Sequence, residues 1–323
     1  MNILRDGPRI FHPKSNSNSC DTFLSQLEKS DNLYQKFQYE NEFIPRNTYG
    51  IYYGNNIVTG RPLTVQRRNT VNAGAIYCGR SGSGKTVAAI SEIKEMLQET
   101  DDIVILFTDH IQEYTNVFEE EIFPISAAER EDITQEDFDS VFSNWKRAEY
   151  ADQNENVENR LSYFDTSCIS ENLITQSLLT IIEHAAIANK SGKRTWVYFE
   201  TSNFFYPFIN ATSGKNLYRF FSQSYLFGII PTAILSDVSL FMQSKFGKSI
   251  ADCCGMIRLF KIHDDDLLPA TELIPNMAAC LLALNGNGPL NYGTSVMYIK
   301  NTNEIHPIVN QNMPLYHIGR RGE

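Results

Sequence analysis

The sequence lacks the marks of several common functional classes. Its six cysteines (Cys20, Cys78, Cys168, Cys253, Cys254, Cys280) show no C-x-x-C spacing. That excludes a zinc ribbon or a dithiol redox motif. Most of them sit in apolar runs, which predicts buried free thiols in a reducing compartment. His110, His184, His263, His306 and His317 show no metal-ligand spacing either, so no zinc is expected. No apolar run reaches the length of a membrane span, and the most apolar window, Tyr225 to Leu235, is broken by Gly228 and Pro231. The first residues, Met1-Asn2-Ile3-Leu4-Arg5-Asp6, carry no apolar signal core. Basic residues are outnumbered, with 28 Lys+Arg against 38 Asp+Glu and a net charge of −10. A generally basic nucleic-acid-binding surface is therefore not expected, although a local basic patch in an oligomer stays open. No internal repeats are seen.

What is present is globular. The 323 residues are 42% hydrophobic and 20% charged, enough for one large or two ordinary domains. One stretch organises the rest: Gly79-Arg80-Ser81-Gly82-Ser83-Gly84-Lys85-Thr86 reads G-x-x-x-x-G-K-[ST], the phosphate-binding loop. An apolar run, Ala75-Ile76-Tyr77-Cys78, precedes it as a candidate buried strand. Val87, Ala88, Ala89, Ile90, Ile93, Met96 and Leu97 follow at helical spacing. Strand, loop and helix are the context the motif needs. Its glycines let backbone N–H groups turn inward around a triphosphate. The helix start adds the positive end of its dipole. Lys85 is expected to neutralise the β- and γ-phosphates of ATP, and Thr86 to offer its hydroxyl to Mg²⁺.

Along the chain, residues 1–47 read as a polar lead-in or hinge, with Phe23, Leu24, Leu27 and Leu33 patterned as a short amphipathic helix. Residues 48–323 read as one domain. Two strands, Tyr49 to Tyr53 and Pro62 to Gln66, are expected around a turn at Gly54-Asn55-Asn56. A buried strand at Asp102 to Phe107 ends in Thr108-Asp109-His110-Ile111-Gln112-Glu113-Tyr114. Residues 117–160 turn acidic and helix-compatible, which reads as an insertion with a solvated or docking face. Further strands are expected at 161–165, 196–199, 232–235 and 256–262, helices at 173–188, 216–227 and 239–243, and a closing hairpin at 295–299 and 305–309. Residues 276–284 are ambiguous between helix and strand. Strands alternating with helices predict an α/β domain with a mostly parallel sheet flanked by helices. Asp264-Asp265-Asp266 reads as a loop or N-cap cluster, because three consecutive acids point in different directions.

Several landmarks together resemble a known family. The segment 49–96 resembles the start of the motor domain of conjugative-transfer ATPases, the TraE/TraC-like, VirB-type ATPases of type IV secretion. Asp109, Glu113 and Tyr114 stand at the spacing of that family's D-P-x-x-E-Y, with His110 in the place of Pro. Phe164-Asp165-Thr166-Ser167 matches its F-D-x-S in part. Gly192-Lys193-Arg194-Thr195-Trp196-Val197-Tyr198 matches the stretch before its Walker B acids. Pro307 and Met313-Pro314-Leu315-Tyr316 resemble its end. The likeness covers roughly residues 45–316. It implies a RecA-like P-loop NTPase of the HerA/FtsK group that binds ATP and Mg²⁺. It also implies a ring, hexameric in the family, at the cytoplasmic face of the membrane. There it would work with membrane-embedded secretion or conjugation components, powering DNA or protein transfer. The family's large N-terminal docking domain is essentially missing from this chain, and the insertion is short.

The departures fall on catalytic positions. The family's Walker B pair Asp-Glu reads Glu200-Thr201 here. Glu200 is expected to support the Mg²⁺ shell, whereas Thr201 cannot act as a general base near neutral pH. Ser236 stands where the family has a γ-phosphate-sensing Gln. Glu113 or Asp109, at the end of the strand after the P-loop helix, is the candidate relocated carboxylate. Arg258 and Arg194 are candidate arginine fingers, with ordinary salt bridges as the alternative for each. Arg67-Arg68 reads as a solvated turn, with contact to phosphate or backbone as the alternative. Two functions follow: an ATPase motor subunit, or a catalytically degenerate nucleotide-binding structural subunit that docks partners. A translocase acting directly on duplex DNA is disfavoured by the acidic balance.

Overall fold

The computed structural model describes residues 50–70, 72–118, 122–125, 160–166, most of 178–200, 214–285 and 294–309. The lead-in at 1–47, Leu173 and Ile174, Thr201, the bulk of the acidic stretch and the tail after 309 lie outside the described residues. Eleven described strands form one sheet in the order β2-β1-β11-β10-β9-β3-β8-β7-β4-β6-β5. They are β1 (Ile51–Asn56), β2 (Pro62–Val65), β3 (Ala75–Cys78), β4 (Ile103–Thr108), β5 (Ile122–Ile125), β6 (Leu161–Asp165), β7 (Thr195–Glu200), β8 (Ile229–Leu235), β9 (Met256–Leu259), β10 (Thr294–Ile299) and β11 (Glu304–Val309). The seven from β9 to β5 pair parallel. The other four join antiparallel beside β9.

Helices cover both faces, which is why the central strands are continuous apolar runs rather than alternating ones. Ile76, Cys78, Val197 and Phe199 point into one core, with Leu217, Phe241, Ile250, Leu273 and Cys280. Those come from α3 (Gly214–Gln223), α4 (Val238–Gln243), α5 (Gly247–Cys253), α6 (Leu267–Leu273) and α7 (Met277–Asn285). Ala75, Tyr77, Trp196 and Tyr198 point into the other core. That face is covered by α1 (Lys85–Glu99) and α2 (Ile111–Phe118) through Ala89, Ile93, Met96, Tyr114 and Phe118. The fold is the expected α/β sheet flanked by helices.

Several boundaries differ from the sequence reading. The first hairpin turns later, because Asn56 Oδ1 accepts from Val58 N and Thr59 N at 2.9 and 3.0 Å and closes the loop itself. Gly54 and Asn55 are strand residues. The helix expected through Phe227 ends at Gln223 and continues as a 3₁₀ turn to Phe227, closed by Gly228 at φ 69°. The ambiguous 276–284 stretch is helix α7. Residues 117 and 118 close α2, and β5 follows inside the acidic stretch as an edge strand on β6. Strand β9 stops at Leu259 rather than Ile262: Phe260 N still donates to Cys78 O at 2.8 Å, and the carbonyl of Lys261 turns to the P-loop, as described below.

Candidate functional site

Four parallel strands end on one edge. Strand β3 runs into the P-loop, β8 into Ser236, β7 ends at Glu200 and β4 at Thr108. Strand β8 lies between β3 and β7, with Cys78 opposite Leu235 and Ile234 opposite Glu200. On the far side of β7, Thr108 is opposite Glu200. The chain leaves β3 for β4 on one face and β7 for β8 on the other. The crevice above β3 is therefore a topological switch point, where open α/β sheets bind ligands.

The P-loop is held by its neighbours on both sides. Gly79 N donates to Leu235 O at 3.1 Å, and Arg80 N donates to Lys261 O at 2.7 Å. A Cβ on Gly79 would lie 2.7 Å from Phe260 Cβ and 2.9 Å from Lys261 O, so the first motif glycine is required by close packing. Gly84 is left-handed at φ 92° and starts α1. The first-turn N–H groups of α1 have no acceptor within the helix and face the loop. Lys85 Nζ donates to Gly79 O at 2.7 Å and to Arg80 O at 3.0 Å. Burial lowers its affinity for the proton, and the charges of Glu200 and Glu113 work against that shift. Ser81 and Gly82 are exposed at the loop tip. Ser83 is 4% exposed and its Oγ finds no partner.

Glu200 reaches the loop across β8. Its Oε1 accepts from Thr86 Oγ1 at 2.5 Å. Its Oε2 accepts from the Tyr114 hydroxyl of α2. Burial pushes the Glu200 carboxyl above the ordinary carboxylate range, while the two hydroxyls pull it down. Tyr114 is fully buried. Burial and the adjacent Glu200 hold its phenol well above its usual value, so it is a donor at neutral pH.

These residues fit the groups expected from the motif. A glycine cradle, an orphaned buried hydroxyl and a partly desolvated ammonium suit an anionic phosphate chain. Because Thr86 gives its proton to Glu200, its oxygen lone pairs remain for a divalent cation. The structure brings Lys85, Thr86 and Glu200 together. It places Asp109 and Glu113 on the same edge, at the end of β4 and in the first turn of α2. Glu113 is exposed, yet its charge acts on both Lys85 and Glu200. Asp109 has a buried Oδ1 without a hydrogen bond, 3.4 Å from His110 Nε2.

The arginines require corrections. Arg258 is 1% exposed inside the sheet, bonded through Nε to Ser295 Oγ at 2.9 Å and set over the rings of Tyr53, Tyr77 and Phe260. It cannot reach out as an arginine finger. Arg194 sits before β7 on the opposite edge and donates to Asn189. Arg67-Arg68 is no solvated turn: Arg67 is 2% exposed and paired with Glu92, and Arg68 pairs with buried Asp102 at 2.9 Å. Asp264–Asp266 forms a 3₁₀ turn, and Asp266 accepts from Ser239 N at 2.8 Å in the first turn of α4. Sequence reasoning gave no role to Tyr114 or to the Phe260–Lys261 brace. The α2 helix had a legible signal in Tyr114, Val117 and Phe118 at helical spacing.

No protein-family model matches the chain, and no curated protein matches it. Solved structures do. VirB4 of Thermoanaerobacter pseudethanolicus is similar with a TM-score of 0.55 at 10% identity, over 82% of this chain and 97% of that one. The genome packaging NTPase B204 from Sulfolobus turreted icosahedral virus 2, in complex with sulfate, gives 0.52 at 10% identity over 73% and 95%. The cytoplasmic domain of the Thermomonospora curvata type VII secretion ATPase EccC gives 0.51 at 8% identity over 84% and 30%. At such identities the likeness is one of fold, and the fold of this chain is that of a P-loop NTPase, shared with VirB4, B204 and EccC.

Proposed function

We propose that this chain is an ATP-binding, motor-type subunit of a conjugative-transfer or type IV secretion system. The observation that carries the reading is the bond from Thr86 to Glu200, which joins the P-loop to the end of β7. The P-loop N–H groups and Lys85 hold the phosphates. Thr86 and Glu200 hold Mg²⁺, which when bound screens the charge on the β- and γ-phosphates. Glu113, with Asp109 beside it, orients water from the end of β4. The likeness to VirB4 and EccC supports a secretion motor, and the sulfate complex of B204 supports an anion site on this fold. The subunit acts as a ring against membrane-embedded components at the inner face of the cell membrane. No described helix is long and apolar enough to cross a membrane.

One observation favours a second reading. Both oxygens of Glu200 are engaged by protein hydroxyls, and the next residue is Thr201, so no carboxylate follows to activate water. That describes a subunit that binds nucleotide and docks partners without efficient turnover.

The test is ATP affinity with Mg²⁺ and phosphate release on one preparation of wild type, Lys85→Ala, Glu113→Gln and Thr201→Glu. Lys85→Ala weakens binding by about ten- to a hundredfold, the worth of a charge-assisted bond. A motor loses about two to four orders of magnitude of turnover in Glu113→Gln. Binding without turnover, with activity gained in Thr201→Glu, selects the second reading. Absence of nucleotide binding in wild type overturns both.

A further inference from the structure

We propose that Tyr114 is a positioning residue for the cation site: its hydroxyl latches helix α2 to Glu200 and sets the carboxylate that Thr86 and Mg²⁺ require. The inference rests on the nucleotide and Mg²⁺ reading above.

The argument is geometric. Glu200 has two oxygens and two donors, Thr86 Oγ1 on one and the Tyr114 hydroxyl on the other. A carboxylate bonded on one side only is free to swing about its last torsion. With Tyr114 on Oε2, Oε1 is fixed toward Thr86. Tyr114 is itself immobile, with its ring buried in the core beneath α1 and α2 beside Phe118. Its partner lies 86 residues away on another element, so the contact belongs to the tertiary fold and not to local helix geometry. The same side chain anchors the first half of α2, the element that carries Glu113. One phenol therefore ties together the candidate cation ligand and the candidate water-orienting carboxylate. Neighbours that orient metal ligands typically contribute about ten- to a hundredfold in metal affinity.

The experiment uses the full chain and reads binding of a fluorescent ATP analogue against Mg²⁺ concentration. Tyr114→Phe keeps the ring and removes the hydroxyl. It should raise the Mg²⁺ concentration for half-maximal tight binding by about tenfold. Mg²⁺-free affinity should stay within about twofold, because no phosphate contact is touched. The effect should vanish in a Glu200→Gln background, since the hydroxyl acts through that carboxylate. Equal Mg²⁺ requirements in wild type and Tyr114→Phe would overturn the proposal. So would a parallel loss of Mg²⁺-free binding, or an undiminished effect in Glu200→Gln.

A wild-type measurement covers the case in which Tyr114→Phe does not fold. Linkage is reciprocal, so if the latch favours the cation, then cation with nucleotide must tighten the latch. Amide exchange over residues 111–118 should slow on adding Mg²⁺ to the nucleotide complex. Unchanged exchange there, with slowing at the start of α1, overturns the latch while leaving the nucleotide site intact. Wild type that binds no nucleotide overturns the functional reading and the latch together.

Discussion

Two buried carboxylates hang on opposite ends of one story. Glu92 lies in the middle of α1 with its side chain 1% exposed, and Glu200 ends β7 at 5% exposure. Glu92 is completed by the protein. Arg67 Nη1 donates to it at 2.5 Å, with the hydroxyls of Tyr53 and Tyr77 beside it. Arg67 is in turn held by Ala73 O at 2.9 Å, Thr232 Oγ1 at 2.9 Å and the Trp196 ring at 5.1 Å. Charge and hydrogen bonds both close inside the molecule. Glu200 is given only neutral hydroxyls, and no ion pair to it occurs among the described residues. A buried carboxylate matched by a guanidinium is architecture. One supplied with donors but with no cation is arranged for a cation from outside. The two are linked through α1, which carries Thr86 at its start and Glu92 two turns later.

The strongest way to break the comparison is to unbalance the matched pair. Glu92→Leu leaves the Arg67 guanidinium buried without its counter-charge and should destabilise the fold by about 3–5 kcal/mol. Arg67→Met should cost a similar amount for the mirror reason. Combining the two should recover most of the loss, because the removed charges were each other's compensation. Urea midpoints for the two single variants and the double variant decide it. Additive losses would mean that Glu92 is not closed by Arg67, and the contrast with Glu200 would fail.

A matched pair of tyrosines sharpens it. Tyr77→Phe removes a hydroxyl that donates to Glu92 Oε2 at 2.5 Å, and a hydrogen bond to a buried charge is worth about 1.5–3 kcal/mol. That loss should appear in the denaturation midpoint, with the Mg²⁺ requirement for nucleotide binding unchanged. Tyr114→Phe, whose hydroxyl also serves a buried carboxylate, should lose stability on a similar scale and in addition raise the Mg²⁺ requirement. If Tyr77→Phe moved the Mg²⁺ requirement as far as Tyr114→Phe does, the two carboxylates would be one network and not two.

The fold and half of this site were legible along the chain because their signals are local. The P-loop, its strand and its helix occupy consecutive residues with matching periodicity, and the carboxylate of Glu200 closes an apolar strand in the place its pattern predicts. What was hidden is pairing across the sheet. Arg67-Arg68 looks solvated in sequence, but its partners Glu92 and Asp102 lie 25 and 34 residues on. Arg258 sits in Met256-Ile257-Arg258-Leu259-Phe260, whose unbroken apolar flanks are themselves a sign of burial. No local pattern supplies the Ser295 that receives its Nε–H. Tyr114 was visible as a landmark residue, yet its role depends on a neighbour that only the order β7-β4 brings near.

The smallest effect concerns Glu200 alone. With its carboxyl held above the ordinary range by burial, the ionised form is a cost to the cation-free fold. Glu200→Gln removes the charge and keeps the shape. The amide oxygen still accepts from one hydroxyl, and the other hydroxyl rotates to accept from the amide N–H. The variant should therefore be more stable than wild type at neutral pH, by about 1 kcal/mol, while needing more Mg²⁺ for tight nucleotide binding. The pH dependence has a definite sign. A raised folded-state value means that the folded wild type holds the proton more tightly than the unfolded chain. Wild-type stability then falls as pH rises from the ordinary carboxylate value through the folded one. The advantage of Glu200→Gln should shrink on acidifying through that window, measured as the difference in urea midpoint at matched ionic strength without Mg²⁺. A variant less stable than wild type at neutral pH would mean that the carboxylate is already balanced within the protein, as Glu92 is. Stability given up at the point where the cation is to bind is the pattern of a site kept for its ligand.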